Sequence, residues 1–237
     1  MSGDDAVQIW CRSTERLDHA AIAAAVSVLS EDEAAQYRRF HFERDARDYA
    51  AAHALLRTTL TRHDHRAPAD WRFEKTAAGK LLLRDAGSAI GSFSLSHTNG
   101  MVACAVTAAA AVGVDVECVD RGVDAGDLAA RFFAPAEAAH LARLDADARR
   151  EYFFDLWTLK EALVKALGTG MATSLASLAF SVHADRTVGL EAPPEVEVNQ
   201  WQFGLFAPGP KHRLAVAVRR SGSRPAELVC RSLADAR

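Results

Sequence analysis

The sequence predicts an α+β protein made of two similar lobes related by a pseudo-twofold axis, with a cleft between them. Two observations predict it. The order strand, helices, long helix, strands occurs once before about residue 111 and again after it. Each pass is centred on one long helical segment. The expected division is an N-terminal lobe over 1–111 and a C-terminal lobe over 112–237, a length that suits one large domain or two small ones.

In the first pass, Val7 to Arg12 alternates as a strand does. Leu17 to Leu29 reads as a helix. Ser30-Glu31-Asp32-Glu33 is a helix-start signature, with Ser30 as cap and Glu33 at the capping-box spacing. Asp45 to His63 is rich in Ala and Leu without Gly or Pro, and predicts a long buried helix. Pro68 interrupts, and strands are expected at Trp71–Lys75, Lys80–Leu83, Phe93–His97 and Met101–Thr107. In the second pass Val112–Cys118 is a strand. Asp124–Phe133 and Pro135–Leu144 are short helices, the latter with proline just inside its start. Ala146–Leu167 is a long helix stopped by Gly168. Strands follow at Leu178–His183, Gln200–Phe206 and Arg213–Arg219, and Leu228–Cys230 in the tail is a candidate edge strand.

Composition excludes several classes. The chain is 49% hydrophobic and 25% charged, with a net charge of −3, so it lacks the basic field that nucleic-acid binding needs. Local basic clusters at Arg38-Arg39, Arg44, Arg47 and Arg57 leave anionic small ligands open. None of the four cysteines sits in a C-x-x-C pair, which argues against a zinc site or a redox dithiol. The acidic start Met-Ser-Gly-Asp-Asp has no signal-peptide character, and no apolar stretch is long enough to span a membrane. The expectation is a soluble, cytoplasmic protein.

The residues that point to chemistry are acidic. In Gly113-Val114-Asp115-Val116-Glu117 the two carboxylates lie two positions apart on a strand and share a face. On their own they are equally compatible with a solvated strand end. A third carboxylate, Glu161, lies in Trp157-Thr158-Leu159-Lys160-Glu161-Ala162-Leu163-Val164-Lys165, where Trp157, Glu161 and Lys165 share a helix face. That face is either an exposed Glu–Lys pair or the lining of a cleft. Gathered carboxylates repel unless a cation joins them, and a hard divalent ion held by oxygens and substrate phosphates fits such a set. Phe93-Ser94-Leu95-Ser96-His97 reads as a strand entering a tight turn, with Ser96 and His97 as phosphate donors or simply as hydrogen-bonded turn residues. Being adjacent on a strand, they face apart and form no nucleophile–base pair. Gly79-Lys80 follows a turn-rich stretch, and no Walker A loop or G-x-G-x-x-G is present.

Ser-Leu-Ser-His, Gly-Val-Asp-Val-Glu, Arg131-Phe132-Phe133 followed by Glu137, and Trp-Thr-Leu-Lys-Glu-Ala-Leu-Val-Lys occur in this order from about Ser30 to Gly170. The combination resembles the surfactin-type (Sfp-like) 4′-phosphopantetheinyl transferases. The resemblance implies two α/β lobes with coenzyme A between them. The implied reaction moves the phosphopantetheine arm to a serine of an acyl or peptidyl carrier protein and releases 3′,5′-ADP, as in secondary-metabolite biosynthesis. It implies Mg2+ on Asp115, Glu117 and Glu161, with Glu161 as base and Lys165, and Lys160 beside it, neutralising phosphates. Lys80, Ser96 and His97 match positions that contact the nucleotide end. Leu81 departs from the proline usual after Gly-Lys. The stretch matching the lysine-bearing helix has Glu33 and Gln36 instead, so Arg39 or Arg47 is expected to hold the 3′-phosphate, unless Arg47 pairs with Asp45 or Asp48. The carrier is expected to dock near Val123–Phe133, and the enzyme to be a monomer. A magnesium-dependent phosphohydrolase and a non-catalytic coenzyme A or carrier-binding module are the alternatives.

Overall fold

In the computed structural model, which describes residues 6–84, 90–109, 111–222 and 224–233, the chain runs twice through one order. The first pass is β1 (Ala6–Ser13), α1 (His19–Ser27), α2 (Glu31–Tyr37), α3 (Glu43–Thr61), a hairpin of β2 (Phe73–Lys75) and β3 (Leu81–Leu83), then β4 (Ser92–Thr98) and β5 (Met101–Thr107). The second is β6 (Val112–Cys118), α4 (Ala125–Phe132), α5 (Pro135–Leu141), α6 (Ala146–Leu167), a hairpin of β7 (Ala179–Val182) and β8 (Val188–Glu191), then β9 (Trp201–Gly209) and β10 (His212–Arg219). The sheets repeat as well. β1-β5-β4 and β6-β10-β9 have the same order, and every pairing within these triplets is antiparallel. The expected α+β duplication is the fold observed.

Burial divides the molecule into layers. Val7, Ile9, Ala103 and Ala105 of one sheet pack against Val112, Val114, Val116, Leu214 and Val216 of the other, so the two sheets share a core. On the far side of the first sheet, Leu55, Leu56 and Leu60 of α3 pack on Phe93, Val102 and Cys104. On the far side of the second, α6 packs on β9 and β10 through residues such as Leu156, Leu159 and Leu163. Among the described residues no helix is long and apolar enough to cross a membrane.

At one edge the sheets meet through side chains. The hydroxyls of Ser92, Ser94, Ser96 and Thr98 on β4 accept hydrogen bonds from the backbone N–H groups of Val112, Val114, Val116 and Cys118 on β6, at 3.2, 3.0, 3.3 and 3.2 Å. β6 is the edge strand of its sheet. Without this ladder its outward N–H groups would be buried and unpaired, at a cost of about 1–3 kcal/mol each.

The duplication extends to two buried ion pairs. Glu33, at the third position of α2, completes a capping box with Ser30 and receives Arg57 of α3 at 2.7 Å. Arg57 also donates to the carbonyls of Pro68 and Trp71, ahead of the β2–β3 hairpin. Glu137, at the third position of α5, accepts from the Ala134 N–H and pairs with Lys160 of α6 at 2.7 Å. Lys160 in turn donates to the carbonyls of Leu175 and Leu178, ahead of β7. In each lobe a cation from the long helix ties the short-helix start to the segment before the hairpin. A buried charge is tolerated only when paired in this way.

Three sequence expectations are adjusted. The long first helix starts at Glu43 and ends at Thr61, rather than spanning Asp45 to His63. β8 was not foreseen. Its Val-Gly-Leu-Glu is too short to show a period and contains glycine, and it becomes a strand by pairing with β7. The tail strand is present as β11 (Glu227–Ser232), and it runs parallel to β1 as the edge of the first sheet. This segment from the far end of the chain therefore extends the N-terminal sheet.

Burial works to raise the Glu33 pKa, but the hydrogen bond and charge of His53, the Ser30 N–H and the Arg57 charge outweigh it and hold the carboxyl at about 2. Folding thus gains about 3 kcal/mol from this group above the unfolded carboxyl pKa near 4.5. The gain shrinks as pH falls below that value and is gone near the folded pKa. Urea unfolding of Glu33→Gln should show a stability deficit of about that size at pH 7, closing toward pH 2. A deficit that does not change with pH would mean the ionised carboxylate contributes nothing.

Candidate active site

The site is built where β6 passes under α6. Strand alternation sends Val112, Val114 and Val116 into the core between the sheets and turns Gly113, Asp115 and Glu117 toward α6. A Cβ at Gly113 would lie 1.9 Å from the Ala162 carbonyl oxygen, so only glycine lets the helix backbone rest on the strand at this point. That close approach brings the flanking α6 residues Glu161 and Lys165 over the strand's carboxylates.

Lys165 Nζ lies 2.6 Å from Asp115 Oδ1 and 2.9 Å from Ser96 Oγ. Ser96 donates to the same Asp115 oxygen at 2.9 Å. Thr98 donates to Glu117 Oε2 at 3.2 Å, and Arg121 Nη1 reaches both Glu117 oxygens at 2.6 Å. The lobe-joining hydroxyls of Ser96 and Thr98 therefore serve twice, accepting from the β6 backbone and donating to its acidic side chains. Burial raises the pKa of Glu117, and the Asp115 charge adds to it. Burial also raises Glu161, with Asp115 and then Glu117 adding to it against the Lys165 charge. The Asp115 charge thus acts on both glutamates.

Beside them opens a cavity of about 730 Å3 at the lobe junction. Lys75, Lys80, Arg131, Lys165, His53 and His97 line it, and Glu161 is the one acid among its lining residues. Phe93, Leu95, Phe132 and Val164 supply apolar wall. Such a space suits a ligand with several negative charges and an apolar portion. Burial depresses the pKa of Lys80, whose ammonium donates to the Ala166 carbonyl at 3.0 Å and so links the first lobe's hairpin to the end of α6. His97 stands exposed in the cavity wall. The water displaced by its neighbours pushes its pKa down, and the Lys165 charge adds to this.

The sequence-predicted residues are sorted by this geometry. Asp115, Glu117, Glu161 and Lys165 come together, and Lys80 and His97 face the cavity. Ser96, expected to meet the ligand alongside His97, points the other way. Strand alternation turns it behind the wall, onto Asp115 and Lys165. Lys160, expected to neutralise phosphates, is fully buried on the opposite side of α6 against Glu137 and two carbonyls, with no access to the cavity. Arg47 is held by Asp48 at 3.0 Å and is not part of the cavity lining. Asp48 itself accepts from Thr14 and from the Gly100 N–H, pinning the β4–β5 turn. Three lining residues were not singled out from sequence as site residues: His53, Lys75 and Arg131. Arg131 stood in a quoted motif, whereas His53 carries no signal on an alanine-rich helix.

Among the described residues, no three His, Cys, Asp or Glu side chains stand close enough to grip one metal ion as placed. Arg121 engages Glu117, and Lys165 engages one oxygen of Asp115. The donor set still fits a hard divalent cation. Asp115 Oδ2 is buried with no partner, and Glu117 and Glu161 are both destabilised as anions by burial and by their neighbours. An added dication would relieve both costs.

Residues 111–218 match the family model of the 4′-phosphopantetheinyl transferase superfamily, and residues 16–109 match that of the 4′-phosphopantetheinyl transferase N-terminal region. The chain is 30% identical over 222 residues to the 4′-phosphopantetheinyl transferase HetI of Nostoc sp., covering 93% of this chain and 91% of that protein. It is 30% identical over 168 residues to the 4′-phosphopantetheinyl transferase Sfp of Bacillus subtilis, covering 71% and 73%. A phosphopantetheinyl transferase of Thraustochytrium sp. is 27% identical over 227 residues, covering 90% and 78%.

The Gly113 contact can be tested directly. Gly113→Ala forces a methyl into the Ala162 carbonyl, and urea denaturation should show a loss of about 1–3 kcal/mol or more. Unchanged stability would mean that α6 does not rest on β6 at this position.

Proposed function

This chain belongs to the 4′-phosphopantetheinyl transferases, and from that premise we propose how its site carries out the transfer. The substrates are coenzyme A and an apo acyl or peptidyl carrier protein. The carrier's serine oxygen attacks the phosphorus that bears the pantetheine arm. A new phosphodiester forms, the bond within the diphosphate breaks, and 3′,5′-ADP leaves. The observation that carries this reading is the adjacency of a cation-lined cavity to Asp115, Glu117 and Glu161.

Each side chain has a task in this scheme. Glu161 lines the cavity, and its raised pKa makes it a better proton acceptor than an ordinary carboxylate. It takes the serine proton, directly or through water. Lys165, held by Asp115, offsets charge on the diphosphate, and Lys80 and His97 face the nucleotide portion. Ser96 is a positioning residue that holds Asp115 and Lys165 in place. Asp115, Glu117 and Glu161 would hold Mg2+, with the unpartnered Asp115 Oδ2 as the open ligand atom. When bound, the ion supplies Lewis-acid stabilisation of charge developing on the diphosphate oxygens.

The same reading includes a division at 1–111 and 112–237, with β11 returning to the first sheet. Because both lobes of one chain complete the cavity, a monomer suffices. Free thiols at Cys11, Cys104, Cys118 and Cys230 support a reducing, cytoplasmic setting.

Incubation with coenzyme A, Mg2+ and an apo carrier should add one phosphopantetheine arm to the carrier, read by mass spectrometry. Release of 3′,5′-ADP with no carrier present would favour a phosphohydrolase instead, and coenzyme binding without any product would favour a binding module. Asp115→Asn and Glu161→Gln should each lower kcat/KM by roughly 10²–10³ with unchanged circular dichroism. Near-normal rates in both would remove the carboxylate assignment. Chelation by EDTA should stop turnover, and added Mg2+ should restore it.

A further inference from the structure

The acidic centre of the second lobe has a counterpart in the first, and its charge is reversed. The buried pairs Glu33–Arg57 and Glu137–Lys160 fix the correspondence between α3 and α6. Five residues past Lys160 stands Lys165, which meets Asp115 on β6, the first strand of its lobe. Five residues past Arg57 stands Arg62, at the end of α3. It meets Trp10 on β1, the first strand of its own lobe, with the guanidinium carbon 4.8 Å from the ring centroid. Glu117 follows Asp115 by two positions and shares its face of β6, and Arg12 follows Trp10 in the same way on β1. An indole and two arginines thus stand where the second lobe carries two carboxylates and a lysine.

This cluster lacks acceptors of its own. Val7, Ile9 and Cys11 turn into the core between the sheets, whereas Trp10 packs on the side of α3. β11 places Arg231 directly opposite Trp10, with its guanidinium carbon 5.2 Å from the same ring centroid. Arg62 and Arg231 are both exposed, and neither meets a carboxylate among the described residues. Arg231 donates to Gln8 Oε1 at 3.3 Å. Trp10 Nε1 and Arg12 Nε are buried with no partner. Indole and guanidinium groups only donate hydrogen bonds, so these two orphans cannot satisfy each other. None of the four residues lines the cavity at the lobe junction.

We infer that Trp10, Arg12, Arg62 and Arg231 form a second anion site on the first lobe, and that its ligand is a phosphate group. Guanidinium forks match phosphate oxygens and stay cationic at every physiological pH. Two of them converge over one ring, which concentrates positive charge on a space the width of a single oxyanion. Contact with the indole face steadies each guanidinium and leaves its N–H edge free. The site does not depend on how the lobe-junction cavity is read. Inorganic phosphate and the phosphates of 3′,5′-ADP offer it the same chemistry.

The test follows Trp10 itself. The chain has four tryptophans, each with one indole N–H signal in a nitrogen-correlated NMR spectrum, and Trp10→Phe identifies the signal of Trp10. Titration with inorganic phosphate at constant ionic strength should shift that signal saturably, with a Kd of about a millimolar or tighter. Arg62→Gln and Arg231→Gln should each weaken binding about tenfold. Thermal melts and the other three indole signals establish that the variants fold. Titration with 3′,5′-ADP separates the sources. Tighter saturation of the Trp10 signal, lost in the same variants, assigns the nucleotide's phosphate, and equal or weaker saturation assigns the free ion. A Trp10 signal that does not respond, a drift that potassium chloride reproduces, or saturation unchanged in both folded variants would overturn the site.

Discussion

Four hydroxyls hold the molecule's chemistry in register. Ser92, Ser94, Ser96 and Thr98 pair with successive outward N–H groups of β6, which would otherwise be orphaned in a closed interior. The ladder sets how one lobe sits on the other. A slip of one residue along β4 would bring Phe93, Leu95 and His97 to the β6 edge and leave four N–H groups unpaired. The same register places Ser96 on Asp115 and Thr98 on Glu117. Lobe docking and carboxylate orientation are therefore one set of interactions.

Two nearly equivalent halves yield only one such junction, and the reason lies at the sheet edges. β6 has β10 on one side and the β4 hydroxyls on the other. Its counterpart β1 has β5 on one side, but β11 pairs along the other through regular backbone hydrogen bonds. The edge that accepts side chains in one lobe is thus closed by a strand in the other. The shared framework survives in the buried pairs Glu33–Arg57 and Glu137–Lys160, while the acidic strand belongs to one half only.

Charge is distributed to suit an anionic substrate. Glu161 stands in the cavity wall, and Asp115 and Glu117 behind it are partly compensated by Lys165 and Arg121. The remaining wall carries Lys75, Lys80 and Arg131 around an apolar lining. Cations and hydrophobic side chains in a recess bind a charged, partly apolar ligand more strongly than an open surface would, because the recess has less water to screen them.

Much was legible in the chain itself. The repeated element order, the acidic strand and the helix carrying Glu161 and Lys165 are local patterns, and local periodicity decides which side chains share a face. Strand alternation alone separates Ser96 from His97. What the pattern could not supply was the direction each face takes. Lys160 and Lys165 both lie on α6, yet one is sealed in the core and the other reaches Asp115. That outcome depends on which side of the helix the sheet covers. Arg47 and His53 are both on α3, and only packing turned His53 to the cavity and gave Arg47 to Asp48. The sequence by itself determined most of the elements, the duplication and the acidic residues, because these follow from neighbours along the chain, whereas β8 needed its partner strand. The tertiary structure alone decided which cations face the ligand and which hold the framework, because burial depends on residues far apart in sequence.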